Sequence, residues 1–146
     1  MSSQTEPKPI CLYGHGVPHE AVASEAITPG HFIARGAGNT VAPGFGGSAM
    51  VAFEYGLTGR DINDAYAADD QVIFHTYAPG SGVYALVATG ATAVADGDML
   101  SVQDDGTVIT AASGAVAIAQ AREDVDNSAG GEPARIRVEI TTGTTV

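Results

Sequence analysis

The sequence predicts an all-β protein, a compact β-barrel or β-sandwich built from two related β-units. Three observations support this fold class. Turn-forming glycines and prolines recur every few residues from residue 27 onward, and the apolar segments between them are short, as is typical of small β domains. One stretch of the chain is repeated further along, which usually indicates a repeated structural unit. Helical patterns are few, so we expect at most one short helix.

The repeat relates residues 26–52 to residues 93–119 at a constant offset of 67 positions. The turn at Gly30 corresponds to the turn at Gly97, and the same register continues through the apolar segments that follow. A repeated unit is best explained as one strand arrangement used twice. We therefore expect two related β-units within one domain.

The N-terminal segment differs from the rest of the chain. Residues 1–9 are polar and contain two prolines, which favour an extended conformation. Ile10 to Tyr13 is a short apolar run that fits an edge strand. We predict an extended arm over residues 1–13 and a single β domain over residues 14–146.

The first part of the domain contains a predicted loop and one segment with two alternative structures. Residues 14–19 are predicted as a loop, and residues 20–27 fit either a strand or a short helix. The best helix candidate runs from residue 61 to residue 69, because an aspartate begins it and Ile62 and Tyr66 share a helical face.

The second half of the chain is predicted as consecutive strands. Residues 71–77 alternate in polarity and are followed by a Pro-Gly turn and a returning strand at 83–88, which predicts a β-hairpin. The last strand, residues 134–142, alternates apolar and charged side chains and is therefore half-buried. Further strands are expected at residues 98–102, 107–110 and 115–121.

The chain is strongly acidic, with a formal net charge of −11 from 17 acidic and six basic residues. Such a surface repels phosphates and anionic lipids, so we expect no nucleic-acid partner and no membrane partner. Two interpretations of the acidity remain open. One is an ordinary soluble acidic protein, and the other is adaptation to high salt, which screens the self-repulsion of a carboxylate surface. The single cysteine, Cys11, excludes an internal disulfide.

No group of residues predicts a catalytic or metal site. His15 and His19 have a spacing that suits a metal on a helix, but Gly16 and Pro18 between them disfavour a helix. The aspartates of residues 124–126 match only the beginning of a calcium-binding loop. We therefore predict no catalytic residue, no cofactor and no bound metal, and a structural rather than an enzymatic role.

A series of turn and strand motifs runs through the second half of the chain. The motifs are Ala93-x-x-x-Gly97-Asp98-x-Leu100, Asp105-Gly106-Thr107-Val108, Ala117-Ile118-Ala119, Glu123-Asp124-Val125-Asp126 and Ile136-Arg137-Val138-Glu139-Ile140. They are preceded by Gly59-Arg60-Asp61-Ile62, Asp70-Gln71-Val72 and Pro79-Gly80-x-Gly82-Val83-Tyr84-Ala85-Leu86. Over roughly residues 50–140, these motifs resemble the capsid decoration (cement, or head-stabilising) proteins of tailed double-stranded DNA viruses. The chain departs from that pattern at Asp70, where a glycine is expected.

The resemblance implies a structural virion protein, made in the host cytoplasm, that binds the outer surface of the icosahedral head. It implies that the protein stabilises the shell by bridging subunits of the major capsid protein, that it is a homotrimer, and that an N-terminal arm lies along the shell. If the acidity reflects adaptation to high salt, the host of the virus is a halophile.

The arm supplies the residues that we expect to contact the capsid. These residues are Pro7, Lys8, Pro9, Ile10, Leu12 and Tyr13. In this interpretation the prolines keep the arm extended, and the isoleucine, leucine and tyrosine supply buried surface. The alternative is that the same residues form an edge strand of the domain itself.

Two other functions remain open. One is a β module that binds carbohydrate or a cell surface from the virion, although the absence of tryptophan disfavours it. The other is a small metal-dependent β enzyme that uses His15, His19 and His31.

Overall fold

The computed structural model describes residues 9–146 and confirms the predicted all-β class. Besides eleven strands, this part of the chain contains one short helical element, a 3₁₀ turn at Gly56–Thr58. The strands are β1 (Cys11–Tyr13), β2 (Gly16–Ala23), β3 (Ile33–Gly36), β4 (Thr40–Pro43), β5 (Met50–Ala52), β6 (Gln71–Tyr77), β7 (Gly82–Val87), β8 (Met99–Val102), β9 (Val108–Thr110), β10 (Val116–Ala121) and β11 (Ala134–Thr145). Within the described range, no helix has the length and apolar character that crossing a bilayer requires.

The strands form two sheets, which follow each other along the chain. The five-stranded sheet has the order β3-β4-β2-β6-β5. The six-stranded sheet has the order β1-β7-β11-β10-β8-β9, with a further pairing of β7 with β9. Because β1 precedes the five-stranded sheet in the chain but pairs with β7, the first strand connects the two sheets.

The two sheets use one pairing scheme. Strands β2 to β6 correspond in chain order to β7 to β11. β3 and β4 are antiparallel, as are β8 and β9, and β2 and β4 are parallel, as are β7 and β9. The register also agrees, since Val51 faces His75 in the first unit and Gln120 faces Glu139 in the second. At this strand the equivalent positions are 69 residues apart rather than 67, because Ala52 bonds the turn at Gly30 as Ala121 bonds the turn at Gly97. Residues 16–77 (the first unit) and residues 82–145 (the second unit) therefore hold the same arrangement of five strands.

The turns of the two units also correspond. Gly30 and Gly97 both have positive φ, at 99° and 92°. Further along, Asn39 and Gly106 occupy equivalent turns with φ of 58° and 80°. Glycine and asparagine are the residues that reach this region most easily, so one backbone turn is maintained by two different residue types.

The apolar cores of the units are joined. One cluster of buried residues lies within the first unit and includes Ile33 and Phe74. The larger cluster contains Leu100 and Ile136 of the second unit together with Phe32 of the first unit. The two units therefore pack against each other through shared apolar contacts.

A partly buried arginine also joins the units. Arg135, on β11, donates from Nη1 to the carbonyl of Pro29 at 2.5 Å and from Nη2 to the carbonyl of Ile62. Burial lowers the pKa of Arg135 to about 10, against the opposing effect of Glu54, so the guanidinium stays charged at neutral pH. Both carbonyls belong to the first unit, and this side chain therefore holds β11 against it.

The predicted helix over residues 61–69 is wrong. The carboxylate of Asp64 accepts a hydrogen bond from the N–H of Asp61 at 2.8 Å, and Tyr66 pairs with Ile27. Aspartate side chains that bond nearby backbone groups compete with helical hydrogen bonds. The segment therefore forms turns that carry Tyr66 into the core.

The predicted hairpin of residues 71–77 with 83–88 is also wrong. β6 pairs with β2 and β5, whereas β7 pairs with β1, β11 and β9. The intervening turn carries the chain from one unit to the other. The predicted loop over residues 14–19 is wrong from Gly16 onward, because β6 supplies the partner that makes this segment a strand.

Candidate functional site

The predicted capsid-contact residues lie in different environments. Pro7 and Lys8 are outside the described residues. Ile10 is completely buried, Leu12 is half-buried, and Tyr13 is 49% exposed. The boundary predicted between an arm and a domain stays a prediction.

β1 lies at the edge of the six-stranded sheet, after the exposed Pro9. The N–H of Tyr84 donates to the carbonyl of Ile10 at 2.9 Å, and the N–H of Ile10 donates to Oε2 of Glu54 at 3.1 Å. The side chain of Ile10 belongs to the larger core cluster. It therefore supplies burial to this protein's own core rather than to a partner.

A groove lies beside β1, where β7, β11 and β10 follow in order across the sheet. Its volume is about 340 Å³, and it is lined by Leu12, Tyr13, Tyr84, Arg122, Arg137 and Val138. Tyrosine and arginine side chains combine apolar surface with polar tips, and both are enriched in protein–protein interfaces. The groove is therefore our candidate partner-binding surface.

Two ion pairs orient the arginines of the groove. Nη2 of Arg122 lies 2.9 Å from Oε1 of Glu139, and Nε of Arg137 lies 3.3 Å from Oε1 of Glu123. The hydroxyl of Tyr13 donates to Glu139 at 3.3 Å. The hydrogen bond from Arg122 lowers the pKa of Glu139, so the carboxylate stays ionised. Exposed pairs of this kind add little stability, but they hold both guanidinium groups in place.

The groove concentrates the few cations of an acidic chain. Two of the six basic residues line it. Of the other arginines, Arg135 is partly buried, Arg60 lies 3.6 Å from Asp70, and Arg35 lies over the ring of Phe74 at 5.1 Å. Like charges across an interface oppose association. An acidic partner would therefore be repelled less at the groove than at surfaces without these cations.

His19, one histidine of the metal hypothesis, stacks on an aromatic ring, and so does His75. His15 and His19 are four residues apart along an extended segment, so their Cα atoms are about 13 Å apart. His19 stacks on Phe74 with ring centroids 5.3 Å apart, and His75 stacks on Phe53 at 4.3 Å. Among residues 9–146, no group of three or more potential metal ligands is found.

His31 closes a turn. Its Nδ1 accepts a hydrogen bond from the N–H of Thr28 at 3.0 Å. Burial lowers the pKa of His31; Asp105 opposes this effect and Arg135 adds to it. A lowered pKa keeps the imidazole neutral, as the acceptor role of Nδ1 requires.

The aspartates also close turns. Asp105 accepts hydrogen bonds from the N–H and the hydroxyl of Thr107, at 3.0 and 2.5 Å. Asp70, where the resemblance led us to expect glycine, accepts one from the N–H of Ala67 at 2.9 Å. Aspartate favours turns because its carboxylate can bond the backbone in this way. These contacts account for the positions of both residues.

The groove was not predicted from the sequence. Tyr84 and Arg122 are far apart in the chain, and only the pairing of β7 and β10 with β11 brings them beside Tyr13. The one indication in the sequence is the alternation in the last strand, which places Arg137 and Glu139 on the outward face. That pattern predicts exposure, but it does not predict which side chains lie opposite.

Comparison with known proteins shows similarity at the level of structure. No protein-family model matches the chain, and no curated protein sequence matches it. Among solved structures, the chain is similar to the head fiber gp8.5 N base of bacteriophage phi29, with a TM-score of 0.60 and 14% sequence identity. The similarity covers 90% of this chain and 99% of that chain. The two proteins therefore share a fold.

Proposed function

We propose that this chain is a structural protein of a virus head, bound to the outer surface of the capsid of a tailed virus. In this role it has no enzymatic activity, it bridges subunits of the major capsid protein, and it acts as a homotrimer. A protein that binds only the assembled shell stabilises that shell by mass action. Three linked copies also add avidity to contacts that are weak one by one.

The observation that carries the proposal is the similarity to the phage head fiber base over 90% of the chain. Because it also covers 99% of that chain, the similarity involves the whole architecture rather than one common β motif. A shared fold does not by itself transfer a function. The motifs of residues 50–140 resemble those of decoration proteins. They favour a place on a virus head independently of the structural similarity.

The groove beside β1 is the proposed contact with the capsid. Leu12 and Tyr13 remain proposed contacts, and Arg122 and Arg137 join them. Ile10 leaves the proposed set because its side chain is buried. Tyrosine and arginine often dominate the binding energy of an interface, so these side chains are the ones to test.

Co-sedimentation with expanded heads of the same virus tests the proposal. We expect the wild-type protein to pellet with the heads, and Tyr13→Ala combined with Arg137→Ala to weaken binding by about tenfold or more. Arg60→Ala is the matched control, because Arg60 is also exposed and paired with a carboxylate.

Two results would count against parts of this proposal. If the wild-type protein stays in the supernatant when the heads are pelleted, the proposed function is refuted. Binding that survives the double substitution would refute only the assignment of the groove.

A further inference from the structure

Among the described residues, the N-terminal half of β2 has an open edge. β6 pairs with β2 along residues 16–22, whereas β4 pairs with β2 at Val22 and Ala23. Within residues 9–146, no strand lies beside residues 16–20 on the side of β4. The main-chain groups on that side have no strand partner in this part of the chain, and another strand could pair with them.

Hydrogen bonds further along β2 show which groups these are. The N–H of Val22 donates to the carbonyl of Asn39 at 3.1 Å, toward β4, and the N–H of Ala23 donates to the carbonyl of Asp70 at 2.8 Å, toward β6. Backbone groups alternate in direction along a strand. The residues whose main-chain groups face the open edge are therefore Gly16, Pro18 and Glu20. The backbone nitrogen of Pro18, which carries no hydrogen, faces the open edge. Pro18 therefore removes no hydrogen bond from the pairing with β6.

The equivalent edge of the second unit is covered. β2 corresponds to β7, and β1 lies antiparallel to β7 beside Gly82 and Val83. The corresponding positions of β2 are Pro18 and His19. The second unit therefore shows how this edge is completed, namely by a short antiparallel strand.

Exposed side chains mark the same place. Val17 is 60% exposed, although it lies on the same face of β2 as the buried Ala21 and Ala23. Pro18, His19 and Glu20 also line a groove of about 370 Å³, together with Ile73 of β6. An open edge with exposed apolar surface is a template for strand addition.

We propose that this edge accepts residues 1–8 of a second copy of the chain as an added antiparallel strand. Pro7 and Pro9 are two positions apart, so in an extended chain their missing N–H groups lie on one side. Glu6 and Lys8 then present their N–H groups on the other side, where they can pair with β2.

Charge and length favour this occupant. Residues 1–8 carry one acidic and one basic side chain, in a chain with a net charge of −11. They can therefore approach Glu20 with less repulsion than an acidic segment would meet. Eight extended residues span about 26–29 Å, which suffices to reach a neighbouring molecule.

The position of Ile10 favours a second copy over the same copy. The N–H of Ile10 is bonded to Glu54, which follows β5, and β6 and β2 lie between β5 and the open edge. To reach the edge of its own β2, the chain before Ile10 would have to cross these two strands. When each copy donates its strand to the next copy and accepts one from the copy before, the contact is heterologous, and it can close into a ring such as a trimer. The inference goes beyond the proposed function and assigns Pro7 and Lys8 to a neighbouring copy rather than to the shell.

Light scattering coupled to size-exclusion chromatography tests the pairing on the full chain. We expect the wild-type protein to elute as an oligomer, and Glu20→Pro to elute as a monomer because it removes an N–H from the open edge. Deletion of residues 2–8 should have the same effect and leaves β1 in place. Glu20→Gln is the matched control, since it keeps the N–H, and it should remain oligomeric.

Mixing the two monomers gives a sharper result. Glu20→Pro still carries the N-terminal segment and the deletion variant still carries the open edge, so together they should form a mixed dimer. A monomeric wild-type protein, a deletion variant that stays oligomeric, or a mixture that stays monomeric would each overturn the pairing. Should Glu20→Pro fail to fold, the deletion variant alone decides. A monomer that binds shells would leave the proposed attachment to the virus head standing but not the homotrimer, whereas an oligomer that does not bind shells would leave this pairing standing.

Discussion

His31 and Asp98 show how one turn can be closed by two kinds of side chain. Nδ1 of His31 accepts from the N–H of Thr28 at 3.0 Å, and Oδ2 of Asp98 accepts from the N–H of Ala95 at 3.0 Å. The two acceptors are separated by the same 67 positions that relate the repeated stretches of sequence. A carboxylate accepts at any pH above its pKa, whereas an imidazole accepts only when it is neutral. The first unit therefore has a pH sensitivity at this turn that the second unit lacks.

Stability should consequently fall as the pH is lowered below about 6.5, the usual pKa of histidine. Burial lowers the pKa of His31 and of His75 in the folded protein. In the window between the unfolded and folded pKa values, the unfolded chain binds more protons, so the free energy of unfolding decreases toward acid pH. Urea unfolding between pH 7.5 and 5 measures this slope.

His31→Asn is the control, because an amide oxygen can accept the same hydrogen bond without titrating. We expect this substitution to reduce the slope of the unfolding free energy against pH. The slope that remains would come from His75. An unchanged slope would show that His31 does not carry the effect.

At the scale of elements, the turns decide whether neighbouring strands can pair. The turn at Gly106 has a φ of 80°, and a Cβ added there would lie 2.4 Å from the carbonyl oxygen of Phe32. The carbonyl of Gly106 also accepts from the N–H of Phe32 at 2.9 Å. This turn of the second unit is thus in contact with the backbone of the first unit, whereas a Cβ at Gly97 would meet open space.

Gly106→Ala should therefore destabilise the protein far more than Gly97→Ala. Both substitutions place alanine at positive φ, which costs about 1–2 kcal/mol. Only Gly106→Ala adds a backbone clash, and we expect it to cost about 2 kcal/mol more. Chemical denaturation of the two variants at neutral pH compares them directly, and equal losses would contradict the packing of this turn against Phe32.

For the whole molecule, the acidic surface sets the response to salt. The net charge of −11 makes the folded state repel itself, and the screening length falls from about 10 Å at 0.1 M salt to about 3 Å at 1 M. We expect the melting temperature to rise with potassium chloride concentration, most steeply at low concentration where screening changes most.

Thermal unfolding across a potassium chloride series tests this expectation. Glu25→Gln combined with Glu132→Gln removes two exposed negative charges and should give a smaller rise. A melting temperature that does not respond to salt would remove the argument for adaptation to a high-salt environment.

Much of the local architecture was predictable. The bounds of β6 agree with the prediction, and the last strand begins at Ala134 as expected. Alternation of apolar and polar side chains is a local pattern that requires no knowledge of the partner strand. The helix over residues 61–69 failed because aspartate side chains and the pairing of Tyr66 with Ile27 outweighed a weak helical pattern.

The candidate site was predictable only in part. Leu12 and Tyr13 were identified from a short apolar run, but the burial of Ile10 depends on Glu54 and Tyr84, which are distant in the chain. The groove and the open edge of β2 likewise depend on which strands lie side by side. A sequence pattern shows that a strand has an exposed face, but it does not show what lies beside it.

The sequence by itself determined the all-β class, the acidic surface and the resemblance to capsid decoration proteins. Turn chemistry and side-chain alternation depend on residues close together in the chain. These properties can therefore be predicted from short segments of the sequence. Only the tertiary structure decided that β6 and β7 lie in different sheets, that β1 covers β7, and that the matching edge of β2 stays open among the described residues. Strand pairing depends on hydrogen bonds between segments far apart in the chain, and each pairing is selected by the burial it allows in the folded molecule.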